Sequence, residues 1–202
     1  YIMNVHNNEG VQYSEPKLKI QGIEAVKSST PMVVRNKFKQ AYKIILTSTE
    51  EELQKFVKDF YNEFTSLNPE DIASPRGLSA LTKWYDSAKI YKKSTPIHVR
   101  GALLFNHYMK KHGLDKTSEP LKNGSKIKFS YLKVPNPMME NVISFPQFLP
   151  KEFELEDFID YDLQFDKTFK EPLKIVTDVI GWNLEKINTL EDFFAWDKYY
   201  NN

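Results

Sequence analysis

The apolar positions of this chain change period several times, and each change marks an element. Residues 2–6 and 11–20 alternate apolar with polar side chains on either side of Asn7-Asn8-Glu9-Gly10, where Asn and Gly tolerate positive φ. That pattern predicts a β-hairpin, with Lys17 to Ile20 as a third extended run. From Pro31 the period becomes helical: Val34, Phe38, Ala41 or Tyr42, and Ile45 fall at spacings of three and four, predicting a helix to about Leu46. Thr30 reads as its N-cap, with proline at the first helical position, where a missing N–H costs nothing. Thr49 reads as the cap of a second helix that opens on Glu50-Glu51-Glu52. Its stripe of Leu53, Phe56, Val57, Phe60 and Phe64 runs to about Ser66 and pairs it with the first helix as an antiparallel hairpin.

Asn68-Pro69 and Pro75-Arg76-Gly77 bracket Glu70 to Ala73, which is expected to be a strand, and Leu78 to Tyr85 a short helix. Thr95-Pro96 repeats the capping arrangement ahead of a helix from Ile97 to Lys111 or His112, stopped by Gly113. After Asn123-Gly124 the period is two: Ile127, Phe129 and Tyr131 alternate with Lys126, Lys128 and Ser130, and a partner strand follows at Asn141 to Phe145. A small antiparallel sheet with lysines on its open face is expected. Residues 154–170 are expected to be helical, and Pro172 to begin another helix that ends at Gly181. A hairpin, mostly helices, a small sheet and helices again make the class α+β.

Composition narrows the compartment more than the chemistry. The 202 residues suffice for one domain or two small ones, and no apolar run approaches the roughly 18 residues of a membrane span. The absence of cysteine excludes disulfides and thiolate metal sites and leaves the cytoplasm as the expected location. A start at Tyr1 with no leader pattern after it suggests a piece of a longer polypeptide. The net charge of +1 conceals two blocks: residues 89–133 carry eleven Lys and Arg against two acids, and residues 150–166 carry seven acids against one lysine. The basic block, interleaved with Tyr91, Phe105, Tyr108, Phe129 and Tyr131, suits either a polyanion-binding face or a solvated surface.

No active site emerges from the residues. His6, His98, His107 and His112 lack ligand spacing, the seven glycines are isolated, and no Gly-x-Ser-x-Gly elbow occurs. Asp160-Tyr161-Asp162 reads as part of an acidic amphipathic helix or its cap rather than a metal pair. Neither a catalytic nor a metal-binding residue is assigned.

Four motifs point further. Family B DNA polymerases carry, after the last catalytic palm motif, a tyrosine-bearing hairpin and then a joint of the form Lys-Gly-x-Glu-x-Val-Arg-Arg-Asp. Here Tyr1 and the hairpin lead into Gly22-Ile23-Glu24-Ala25-Val26-Lys27-Ser28-Ser29-Thr30-Pro31, which resembles that joint in its T-even bacteriophage variant. Ile72-Ala73-Ser74-Pro75-Arg76-Gly77, then Pro96-Ile97-His98-Val99-Arg100-Gly101-Ala102-Leu103, then Gln164-Phe165-x-Lys167-x-Phe169-x-x-Pro172-Leu173 follow in the family's order, so the resemblance covers nearly the whole chain. Gln21 replaces the lysine of many members, and Ser28-Ser29 replace Arg-Asp of cellular ones, so this joint is less positive.

The resemblance implies a palm edge over residues 1–28, a mainly helical thumb over 29–182 and a clamp-docking tail over 183–202. It implies a parent that extends a primer by two-metal phosphoryl transfer, with its two Mg ions and palm aspartates ahead of Tyr1, so that this part alone is inactive. The expected contacts with primer-template phosphates are Tyr1, Lys27, Ser28, Ser29, Thr30 and the N–H groups at the Thr30-Pro31 helix start, extended by Arg76, Lys92, Lys93, His98, Arg100, Lys126 and Lys128. In Thr189-Leu190-Glu191-Asp192-Phe193-Phe194 the resemblance marks Leu190, Phe193 and Phe194 as plugs for a sliding-clamp pocket, although Ile187 stands where many clamp peptides have glutamine. Read without it, the same residues serve terminal packing. A second reading keeps the chain as a non-enzymatic subunit of a split polymerase that binds the separately encoded palm-containing part.

Overall fold

Residues 1–22, 24–116 and 119–186 are described by a computed structural model. The hairpin forms as expected: β1 (Ile2–Asn8) and β2 (Val11–Ile20) pair antiparallel, Ile2 opposite Ile20, around Glu9 and Gly10, both at positive φ. Lys17 to Ile20 is the end of β2 rather than a third run, because the ladder continues past an irregularity between Val5 and Asn7. The hairpin is a two-stranded sheet by itself, and Tyr1, Met3 and Val11 remain exposed.

α1 (Met32–Thr47) and α2 (Glu50–Phe64) follow, and an ion pair between Lys37 near the start of α1 and Glu63 near the end of α2 fixes them antiparallel. Thr49 caps α2 as expected, its hydroxyl accepting from Glu52 N at 3.4 Å. The N-cap of α1 is Pro31, not Thr30, and no side chain caps it. α5 (Ile97–Lys111) starts the same way at Pro96. Both threonines turn backwards: Thr30 Oγ1 donates to Glu24 Oε2 (3.1 Å) and Thr95 Oγ1 to the Lys92 carbonyl (2.7 Å).

Between these helices the chain departs from expectation. Glu70 to Ala73 is not a strand: Pro69–Ile72 forms the single turn α3, and the strand β3 (Ser74–Gly77) lies one step later. Pro75 sits within β3 because β3 is a sheet edge, where a missing N–H breaks no ladder bond. Leu78 continues that ladder through bonds to Ser125 and Gly124, so only α4 (Leu81–Trp84) is helical, followed by a small ribbon of β4 (Tyr85–Asp86) and β5 (Ile90–Tyr91). β6 (Lys126–Tyr131) is central between β3 and β7 (Val142–Phe145) in an antiparallel sheet.

The register sets the faces. Ser74 and Ser144 stand opposite Phe129, so both belong to its face, whereas Lys128 and Ser130 point the other way. α5 covers the Phe129 face so closely that a Cβ on Gly101 would lie 2.5 Å from Ser144 Oγ and 2.7 Å from Ser144 N. The opposite face is not open. Lys128 Nζ donates to the Glu70 carbonyl (2.8 Å), and Ile143 and Phe145 are fully buried.

Residues 154–160 are helical only in the single 3₁₀ turn Glu156–Phe158. Asp160 N donates to Tyr131 O, Lys133 N to Phe158 O, and Leu132 bridges Ile159, so this segment lies along the end of β6. Helix begins at α6 (Tyr161–Phe165), where Asp160 accepts from Leu163 N (3.0 Å), and runs through a π turn (Asp166–Lys170) into α7 (Glu171–Ile180). Pro172 therefore does not start a separate helix. Its ring and missing N–H cannot be fitted to a regular turn, and the π turn ahead of it widens the backbone, with Glu171 N reaching back five residues to Asp166 O. Gly181, at φ 72°, ends α7 as expected.

The core is aromatic. Phe169 has its ring 4.8 Å from Phe38 of α1 and 4.9 Å from Phe60 of α2, and Phe165 lies 5.2 Å from Phe64. Gln164, fully buried, ties this helix to the sheet: it accepts from Tyr131 N (3.1 Å) and donates to Ile72 O (3.0 Å) and Ser74 Oγ (3.3 Å).

Replacing Gly101 by alanine pushes α5 off β7, because the obstruction includes the backbone at Ser144 N (2.7 Å) and Ile143 C (3.0 Å) besides the Ser144 hydroxyl. The expected cost is about 1–3 kcal/mol, as for other overpacked contacts, read as a lowered urea midpoint.

Candidate nucleic-acid interface

The joint between hairpin and α1 is built around one carboxylate. Gly22, at φ 76°, turns the chain, and Glu24–Val26 make one 3₁₀ turn that buries Ala25. Glu24 then receives both Lys27 Nζ and Thr30 Oγ1 and stands near Tyr42, whose hydroxyl is pushed well above its ordinary pKa, first by burial and then by that charge. The backbone is tied as well: Lys27 N donates to Glu24 O and Thr30 N to Lys27 O, both at 3.2 Å.

Arg76 docks this joint on the sheet. Its Nη1 donates to Ser29 O (2.8 Å) and Pro75 O (2.9 Å), and its guanidinium lies 5.7 Å from the Phe129 ring centre. One nitrogen serves both carbonyls, so most of the five guanidinium N–H donors are left for another acceptor. Beside it is a cleft of about 210 Å³ lined by Glu24, Ser29, Thr30, Arg76, Lys167 and Thr168, among others. His98, on the first turn of α5, lies against Phe129 at 6.4 Å, and its pKa is held below the ordinary value by burial and then by the Arg76 charge.

Of the residues expected to meet phosphate, the fold thus gathers Lys27, Ser28, Ser29, Thr30, Arg76 and His98 at one place. Tyr1 exchanges backbone bonds with Gln21, the residue before Gly22, at 2.7 and 3.0 Å. Thr30 is buried, and both its hydroxyl and its N–H are committed inside the joint. The donors that remain at this helix start are the N–H groups of the first turn from Met32, which has no cap.

The others do not converge there. Lys92 Nζ folds back on Lys83 O (2.7 Å) and Lys93 is exposed just beyond β5. Arg100 Nη2 donates to Asn141 Oδ1 (2.5 Å) while its guanidinium lies 5.7 Å from the ring centre of Tyr91, whose hydroxyl donates to Glu140 (2.8 Å). Arg100 therefore ties α5 and β5 to the start of β7. Lys126 is exposed, but with Lys128 it faces away from Arg76 across the sheet. Leu190, Phe193 and Phe194 lie outside the described residues. Glu24 as the hub and Lys167 as the far wall were not anticipated as site residues. Both stand inside quoted motifs, but only the folded geometry shows what they face.

Among the described residues no group of three or more His, Cys, Asp or Glu side chains could hold a metal ion. No helix among them is long and apolar enough to cross a membrane.

The resemblance to phage polymerases holds along the chain. It is 30% identical over 199 residues to the DNA-directed DNA polymerase of Enterobacteria phage T4 and 34% identical over 198 residues to that of Escherichia phage RB69; each match covers 96% of this chain and 22% of the polymerase. The chain thus spans about a fifth of the length of these curated relatives. No protein-family profile matches it.

The lowered His98 pKa means that the unfolded chain takes up this proton first on acidification. Stability is then full above the ordinary histidine range and falls as pH drops through it. Between about pH 7.5 and about pH 5.5, urea midpoints of the native chain are expected to fall more than those of His98→Gln; parallel curves would show that His98 contributes nothing.

Proposed function

We propose that this chain is the duplex-gripping part of a phage DNA polymerase: palm edge over residues 1–28, thumb over 29–182, and a tail over 183–202 that docks on a sliding clamp. The observation that carries this reading is similarity over 96% of the chain to two phage DNA-directed DNA polymerases. The fold is consistent with it in two places. The hairpin is a lone two-stranded sheet, marginal in water, and its exposed Tyr1, Met3 and Val11 suit burial against the remainder of a polymerase. The joint gathers cations beside a solvent-open cleft at an uncapped helix start.

In this reading the phosphates of primer-template meet the spare donors of Arg76, the Ser28 and Ser29 hydroxyls and the first N–H groups of α1, which fix position and read no sequence. Lys27 can take part because its pair with Glu24 is half exposed, and such pairs hold by about 0–1 kcal/mol. A phosphate is a competitive partner at that strength. Exposed Lys93 and Lys126 extend the contact on separate surfaces. Chemistry on the nucleotide, with its two Mg ions, belongs to the palm-containing remainder of the polymerase.

Fluorescence anisotropy with labelled primer-template duplexes tests the grip. Binding should ignore base sequence and, for about six neutralised phosphates, weaken on the order of 10³-fold between about 50 and about 200 mM salt. Lys126→Ala should flatten that salt dependence by about one charge, since a phosphate contact carries one counterion. Affinity that is the same at both salt concentrations would sink the proposal. Phe193→Ala with Phe194→Ala should leave duplex binding intact and abolish retention on the phage clamp.

A further inference from the structure

A second cavity lies on the other side of the helix that runs from Tyr161. It is a groove of about 740 Å³ between α2 and residues 162–170, and its apolar surface comes from Val57, Tyr61, Phe165 and Leu184. The chain beyond α7 is led into it by fixed contacts. Asn183 N donates to Glu50, Gln54 Nε2 donates to the carbonyls of Asn183 (3.0 Å) and Glu185 (3.3 Å), and Glu185 pairs with Lys170. These hold residues 183–185 against α2, and Leu184 is buried between the two held carbonyls.

Sixteen residues follow Lys186, and they continue what Leu184 begins: Leu190, Phe193, Phe194 and Trp196 are large and apolar, and Glu191 and Asp192 are acidic. At about 3.3 Å per extended residue, Leu190 through Trp196 lie within reach of a groove that Leu184 already occupies at one end. The groove's charges favour them. Its carboxylates are engaged, Asp162 by the Tyr61 hydroxyl, Asp166 and Glu185 by Lys170, and Glu51 by its own helix start. Lys55 and Lys58, both exposed at the groove, have no ion pair among the described residues.

We propose that this groove is the intramolecular seat of the chain's own C-terminal segment, Leu190–Trp196, with Leu190 and the two phenylalanines filling the apolar volume beyond Leu184 and Glu191 and Asp192 meeting Lys55 and Lys58. The docked tail turns the same side chains inward that a sliding clamp would take, so clamp binding requires undocking. That last consequence alone rests on the clamp reading above; the docking itself does not depend on it.

Because the chain has no cysteine, Tyr199→Cys gives a single site for a nitroxide label on the full 202-residue protein. With the label oxidised, the amide signals of Val57, Tyr61 and Phe165 in the ¹⁵N-labelled chain should be lost and should return on reduction. Adding Phe193→Asp and Phe194→Asp should restore them with the label still oxidised. Signals at the groove that survive the oxidised label overturn the proposal, as does broadening that persists in the double variant. Loss that also appears when labelled ¹⁴N chain is mixed with unlabelled ¹⁵N chain means that a second copy supplies the tail, which overturns it too.

Discussion

Pro172 has no N–H to give and its ring collides with the carbonyl four residues back, yet the helix that begins at Tyr161 runs through it to Ile180. The backbone meets that constraint with one π turn over Asp166–Lys170. The widened turn presents its residues in three directions. Phe169 goes inward between Phe38 and Phe60, Lys167 and Thr168 line the small polar cleft at the joint, and Asp166 and Lys170 line the large groove. One helix is therefore the shared wall of both cavities and the pillar of the aromatic core. Gln164, one turn earlier, pins that wall to all three of α3, β3 and β6.

The polar groups of the strand-to-helix joint serve the fold before they serve a ligand. Glu24 collects Lys27 and Thr30, Arg76 collects the Ser29 carbonyl, and backbone bonds close the turn. This leaves the joint stiff, with a nearly neutral centre. Positive potential toward a polyanion then comes from the Arg76 donors that are not spent and from the bare start of α1, because Lys167 across the cleft is paired with Glu171 (2.6 Å). A less basic joint, with Ser28 and Ser29 in place of charged residues, can still hold phosphate if the donors are fixed beforehand, since ordering costs are then already met.

Much of the fold was legible because periodicity reports local geometry. The hairpin turn, both long helices of the first half, α5 and its stop at Gly113, the β6–β7 pair and the end at Gly181 all follow from spacing and capping residues. What was not legible depends on partners distant in sequence. The strand expected at Glu70–Ala73 lies at Ser74–Gly77 instead, because nothing local says that β3 is an edge where Pro75 is tolerated. Residues 154–160 carry a helical pattern but form only the 3₁₀ turn Glu156–Phe158, because the segment is claimed by the end of β6, whose backbone groups need acceptors and donors. The two Thr-Pro starts failed as caps for a subtler reason: with proline itself at the N-cap, the threonine hydroxyl one residue earlier finds Glu24 or Lys92 instead.

The candidate site was legible in the same partial way, and the division has a physical cause. Motif residues such as Arg100, Gly101 and Gln164 turn out to hold elements together: the first through Asn141 and the Tyr91 ring, the second by its lack of a side chain, the third through three elements at once. A long polar side chain satisfied inside the fold has few donors left for a phosphate, whereas an exposed lysine gives up little to reach one. Under the proposed function a polyanion is therefore held more by exposed lysines such as Lys93 and Lys126 than by Arg100, and Arg76 is the exception because it is half-buried, docked by one nitrogen and still donor-rich at the edge of an open cleft. Arg76 couples the two roles: a phosphate bound there also pulls on the contact that seats the joint against β3.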